Sequence, residues 1–215
     1  MGIYAEALIL YILIFFSGSA AFLTGAAPSG EFSAIAVLAK LLLHIIPSLA
    51  LIWYLVYKAK MLDIWAVRFG RKDMKSAVCA FPCLLAAGII ISLLSSYSGN
   101  VSVVYSQIPS TIPGWAVLCV FCMFSAYLEE SYFRFYLLSK REELNLHAPG
   151  ALVLSTIMFS VCHIYGGPWS FLNALISGSV LGFLFLRYNS LHGLAIAHGL
   201  YNITAYIIMA AVRVN

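Results

Sequence analysis

Residues 126–138 read AYLEESYFRFYLL. The run is apolar enough to sit in a bilayer, yet it holds Glu129, Glu130 and Arg134. A charge at the bilayer centre costs about 2.5–3.5 kcal/mol on insertion scales, so intramembrane charges pair with one another and face a bundle interior or a water-filled cavity. The stretch therefore reads as one helix of a membrane bundle, with its charged side turned inward.

The rest of the chain supports that reading. It has 215 residues, of which 63% are hydrophobic and 9% charged. An average soluble domain carries about 25% charged residues. Mean hydropathy is +0.97. Long apolar runs recur from end to end, without the alternation of a membrane β-barrel. The expected fold is all-α: a polytopic transmembrane helical bundle of about seven spans (six to eight), forming a single integral-membrane domain over 1–215. The expected spans are 3–24, 33–57, 76–97, 113–139, 148–166, 168–187 and 190–212. The fifth and sixth are joined only by Gly166 to Pro168, so a re-entrant pair is the alternative. The first run lacks a basic leader and carries Glu6, which marks a retained span rather than a cleaved signal.

The net charge of +4 is no nucleic-acid footprint; its distribution is what informs. The link at 58–75 holds Lys58, Lys60, Arg68, Arg71, Lys72 and Lys75 against Asp63 and Asp73. Lys140 and Arg141 follow span four, and Arg187 follows span six. With seven spans these links share one side, and the positive-inside rule puts them in the cytosol with the N-terminus. Lys40 departs from this pattern and is expected to snorkel to the other surface. The expected location is a plasma membrane, with a prokaryotic source favoured by the small size.

Glu130 and Arg134 stand at i and i+4, the right spacing and order for an ion pair. Glu129 points about 100° away from Glu130 and has no evident local partner. An unpaired intramembrane carboxylate is a functional candidate by default. Span five ends FSVCHIYGGP, with Phe159 and His163 at i, i+4, and span seven contains AHGLYNI, with His198 and Asn202 at i, i+4. Glu129 and His163 can activate a water, and His198 and Asn202 can donate to an oxyanion. Each residue taken singly reads equally as interhelical glue; their grouping on three C-terminal spans favours a hydrolytic centre.

EESYFR (129–134), FSVCH (159–163) and HGLYN (198–202) match, in order and spacing, the pattern EExxxR, FxxxH, HxxxN. Over about 115–205 the chain resembles the CPBP family, the CaaX proteases and bacteriocin-processing enzymes also called Abi proteins. The resemblance implies an intramembrane endopeptidase of the glutamate type. Glu129 would be the general base and His163 would help hold the water. His198 and Asn202 would form the oxyanion hole, with Glu130, Arg134 and Phe159 in support. A glycine common after the arginine is replaced by Phe135. No cofactor is expected; a divalent metal held by the Glu and His residues is the minority alternative. The expected partners are a hydrophobic peptide or membrane-protein substrate (possibly prenylated or a leader peptide) and the lipid bilayer.

Several features carry bland readings. Cys79, Cys83, Cys119, Cys122 and Cys162 lie in apolar runs and read as small core side chains. A Cys162–His163 nucleophile is disfavoured because neighbours on a helix diverge by about 100°. Gly178 and Gly182 read as a helix-packing face, Asn173 as an interhelical hydrogen bond, and His44 as structural. The competing classes are a non-proteolytic peptide-binding or immunity protein and a small transporter. One point of geometry stays open. Counted from the basic links, Glu129 and Asn202 lie about 16 and 15 Å deep, but His163 lies about 22 Å deep unless its span starts below the interface or tilts.

Overall fold

The computed structural model describes residues 2–16, 31–58, 68–98 and 108–214. Lys60, Asp63 and the end of the first expected span lie outside the described residues. Among the described residues there are helices and no strand. In chain order they are α1 (Tyr4–Phe16), α2 (Ala34–Lys58), α3 (Arg71–Tyr97), α4 (Ile112–Leu138), α5 (Ala148–Val161), α6 (Pro168–Tyr188) and α7 (Leu191–Val214). Five of these (α2, α3, α4, α6 and α7) are long and apolar enough to cross a membrane. The chain is a multi-pass helical membrane protein.

Local chemistry sets the boundaries. Ser33 accepts from Ala36 N at 3.3 Å and Thr111 from Gly114 N at 3.2 Å, each filling an orphan donor at a helix start. Pro113 and Pro168 occupy first-turn positions where no N–H is needed. Asn189 closes α6 in the left-handed region at φ 50°. The chain turns before α6 at Gly167, with φ 85°, a conformation glycine adopts without steric cost.

Two expectations are corrected. The fifth span, drawn over 148–166, ends as a helix at Val161 and has 14 residues, or about 21 Å. That is too short for a hydrocarbon core of about 30 Å. The chain then passes through a turn and a single 3₁₀ turn, Ile164–Gly166. The third span begins at Arg71 rather than 76, so Arg71, Lys72 and Lys75 belong to its first turns and not to a link.

Packing places α4 at the centre. α7 packs on α4 and α3, α6 on α5 and α3, and the end of α4 meets α2, α5 and α6. All eight residues of Ser131–Leu138 are buried, and their backbone hydrogen bonds widen to the π pattern. Such a stretch leaves carbonyls out of register; Ser155 Oγ donates to Phe133 O at 2.8 Å. Trp53 Nε1 donates to Ser131 Oγ at 3.2 Å from α2. Tyr132 Oη reaches Ala7 O at 2.7 Å, and Tyr136 Oη reaches Glu6 at 2.6 Å. Glu6 also pairs with Lys140 at 3.3 Å, so α1 is clamped to the end of α4. The outer faces are apolar: Val78, Leu93, Ile112 and Phe183 are exposed, as lipid-facing residues should be.

Gly178 and Gly182 pack α6 against α5 within the chain. A Cβ on Gly178 would stand 3.0 Å from Phe159, and one on Gly182 would run into Leu152. A second polar clasp joins α3 to α7. Buried Asp73 accepts from Gly70 N at 2.8 Å and from Ser190 Oγ at 2.7 Å, and Ser76 lies 2.7 Å from Ser190. A Cβ on Gly193 would run into the Asp73 carbonyl, which explains the glycine. Ser190→Ala leaves one carboxylate oxygen of Asp73 without its hydroxyl donor. The expected loss is about 1–3 kcal/mol, checked by thermal unfolding in detergent, with Ser190→Thr retaining most of the stability.

Candidate active site

Glu129 and Glu130 end the regular part of α4, so their carboxylates diverge. Glu130 enters the core, where both it and Arg134 have side chains 0% exposed. Its Oε2 lies 3.2 Å from Arg134 Nε. Its Oε1 accepts from His198 Nδ1 at 2.9 Å. The sequence shows the first contact through i, i+4 spacing; the second joins α4 to α7 and was not foreseen. Arg134 donates from Nη2 to Gly178 O at 3.3 Å and lies over the Phe159 ring, 4.6 Å from its centroid. A buried guanidinium is thus held by a carboxylate, a carbonyl and an aromatic face.

Glu129 is less enclosed, at 15% side-chain exposure, and points toward α5 and α7. Its Oε1 accepts from Ser125 Oγ at 3.2 Å, one turn earlier on α4. That local partner was missed, although i−4 serine spacing was the available signal. Its Oε2 is buried without a hydrogen-bond partner among the described residues. It lies 3.8 Å from His198 Nε2 and 4.0 Å from His163 Nε2. Both separations are too long for a direct hydrogen bond and suit one bridging water.

His163 reaches this place because α5 is short. It follows the helix end, where Nδ1–H donates to Phe159 O at 2.7 Å. A carbonyl only accepts, so Nδ1 carries a hydrogen and Nε2 is the ring atom that faces Glu129. Contact with Glu129 also sets His163 at the level of that carboxylate, which removes the depth mismatch. Phe159 packs on both imidazoles, with centroids 4.6 Å from His163 and 5.9 Å from His198. Cys162 donates from Sγ to Phe159 O at 3.0 Å and lies 3.4 Å from His163 Nδ1, on the side away from Nε2. Cys162→Ser is accordingly expected to keep activity within about threefold, because a hydroxyl can serve the same carbonyl; a peptide-cleavage assay checks this.

Asn202 lies one turn after His198 on α7 and is half-buried. No hydrogen bond among the described residues joins it to the Glu129 group. Asn173 donates to Tyr201 Oη at 3.0 Å, an interhelical bond between α6 and α7. His44 Nε2 lies 3.0 Å from Ile14 O, tying α2 to α1.

The arrangement sets one carboxylate between two imidazoles inside a helical membrane bundle. One class of protein that carries such a group is the intramembrane hydrolases. Residues 111–204 match the profile of the family described as Rce1-like: Type II CAAX prenyl endopeptidase Rce1-like, in agreement with the CPBP resemblance. The match runs from the N-cap of α4 into α7 and includes every residue of the cluster. No curated protein and no solved structure matches the chain. The family is one of proteases, and it suggests a CAAX-type intramembrane endopeptidase.

Proposed function

We propose that the chain hydrolyses a peptide bond of a hydrophobic or membrane-associated substrate, using a water activated by Glu129. The observation that carries this reading is the unpartnered Oε2 of Glu129 facing two Nε2 atoms at 3.8 and 4.0 Å. A water bound there gives one hydrogen to Glu129 Oε2 and the other to the His163 Nε2 lone pair. Its oxygen adds to the scissile carbonyl carbon as Glu129 takes the proton. Collapse of the tetrahedral intermediate breaks the C–N bond, and Glu129 returns the proton to the leaving amine.

The oxyanion needs donors. His198 already spends Nδ1–H on Glu130, so it donates from Nε2 only when it carries a second proton. Asn202, on the same face of α7, supplies the second donor when substrate draws its side chain inward. Glu130 and Arg134 act through His198, as positioning residues.

The substrate class follows the family and the setting: a chain end or segment that partitions into the bilayer, a prenylated terminus among the candidates. The ends of α4 and α6 and the start of α3 carry Lys140, Arg141, Arg187, Arg71 and Lys75, which supports a site reached from the cytosol with the N-terminus on that side. The reaction as written needs no metal. The test is cleavage of a panel of prenylated and unmodified hydrophobic peptides in liposomes, with and without a chelator. Product from the wild type in both conditions, and none from folded Glu129→Gln, is the expected result. Loss of product with chelator would assign Glu129, His163 and His198 to a metal instead.

A further inference from the structure

A groove of about 350 Å³ lies between the first turns of α3 and the last turn of α6, lined by Arg71, Met74, Lys75, Val78, Cys79 and Tyr188. None of these belongs to the Glu129 cluster. Arg71 and Lys75 are exposed and stand one helical turn apart, where like charges repel. Arg187 is exposed on α6, next to the groove residue Tyr188. No ion pair among the described residues joins Arg71, Lys75 or Arg187 to a carboxylate. Asp73, the acid nearest in sequence, is buried and committed to Gly70 and Ser190. The floor is closed by Cys79 Sγ, 3.7 Å from Tyr188 Oη.

The wall is apolar and continues. Met74, Val78, Ile89 and Leu93 are all exposed on α3 and fall within about 100° of one helix face. The stripe from Val78 to Leu93 is about 22 Å long. We propose that this groove holds an anionic phospholipid, its headgroup phosphate between Arg71 and Lys75 and an acyl chain along the stripe. Two observations argue together: two groove cations with no carboxylate partner among the described residues, and an apolar track leading from them along α3. A soluble anion would use the first and ignore the second. An acidic peptide lying across the groove would leave the stripe uncovered.

The experiment is native mass spectrometry of the full chain in neutral detergent, with phosphatidylglycerol and phosphatidylcholine of identical acyl chains. The expected result is preferential retention of one phosphatidylglycerol per chain. Arg71→Gln with Lys75→Gln should weaken it by about fivefold for each cation removed. Val78→Asn should weaken retention of both lipids without changing the preference. All three residues are exposed, and gel filtration verifies the fold. Equal retention of the two lipids, or no effect of the double variant, overturns the proposal. Displacement by glycerol phosphate at the lipid's own concentration would assign the site to a free phosphate and overturn it too, as would equal displacement by an acidic peptide. The readout is independent of cleavage, so it stands or falls apart from the hydrolytic reading.

Discussion

Glu129→Gln is expected to lower cleavage by about 10²- to 10⁴-fold, the usual contribution of a positioned general base, while leaving the fold intact. The amide oxygen can still accept from Ser125 Oγ, a contact of 3.2 Å in the wild type. The amide nitrogen, turned toward the imidazoles, can donate to the His163 Nε2 lone pair. What the amide lacks is a basic oxygen to take the water's proton. The measurement is initial rate in liposomes beside the thermal unfolding midpoint. A folded variant within tenfold of wild type would remove Glu129 from the role of base.

Glu130→Ala should do something different, although it changes the adjacent residue. It strips the carboxylate from Arg134 and from His198, whose contacts are 3.2 and 2.9 Å, in a core where the Glu130 and Arg134 side chains are 0% exposed. Breaking a buried pair by removing one partner costs about 3–5 kcal/mol. The expected outcome is a large fall in thermal stability, with poor yield at 37 °C. Glu130→Gln keeps an acceptor for His198 Nδ1–H but leaves Arg134 uncompensated, so it should fall between wild type and alanine. A loss below about 1 kcal/mol for the alanine variant would mean that Arg134 finds another partner. The two variants together test whether the adjacent carboxylates are separable, Glu129 acting on rate and Glu130 on folding and the orientation of His198.

The legible part of this architecture was the part governed by local spacing. Apolar runs gave the helices, and i, i+4 spacing gave the Glu130–Arg134 pair and the common face of His198 and Asn202. The three motifs named the residues that the fold then gathers, apart from Asn202, which stays outside the hydrogen-bonded group. Contacts between helices were not legible. The Glu130–His198 bond spans 68 positions, and no periodicity encodes it. His163 was drawn inside a long span because apolar character continues past Val161; the turn after Cys162 is what sets it at the level of Glu129. The π-helical end of α4 had no sequence signal either. Its bulky Tyr132, Phe133, Phe135 and Tyr136 are all buried, so a wider turn there reflects packing on every side.

The same 68-residue separation bears on biogenesis. When α4 leaves the ribosome it carries two acids and a base, and the imidazole that answers Glu130 has not been made. At about 5–20 residues per second, α7 follows some 3–14 s later. Until then Glu130 has Arg134 alone as its partner on α4, and the intramembrane charge is less fully compensated. A nascent chain lacking His198 has neither the Glu130 partner nor the second imidazole beside Glu129, so both contacts form only once α7 has been made.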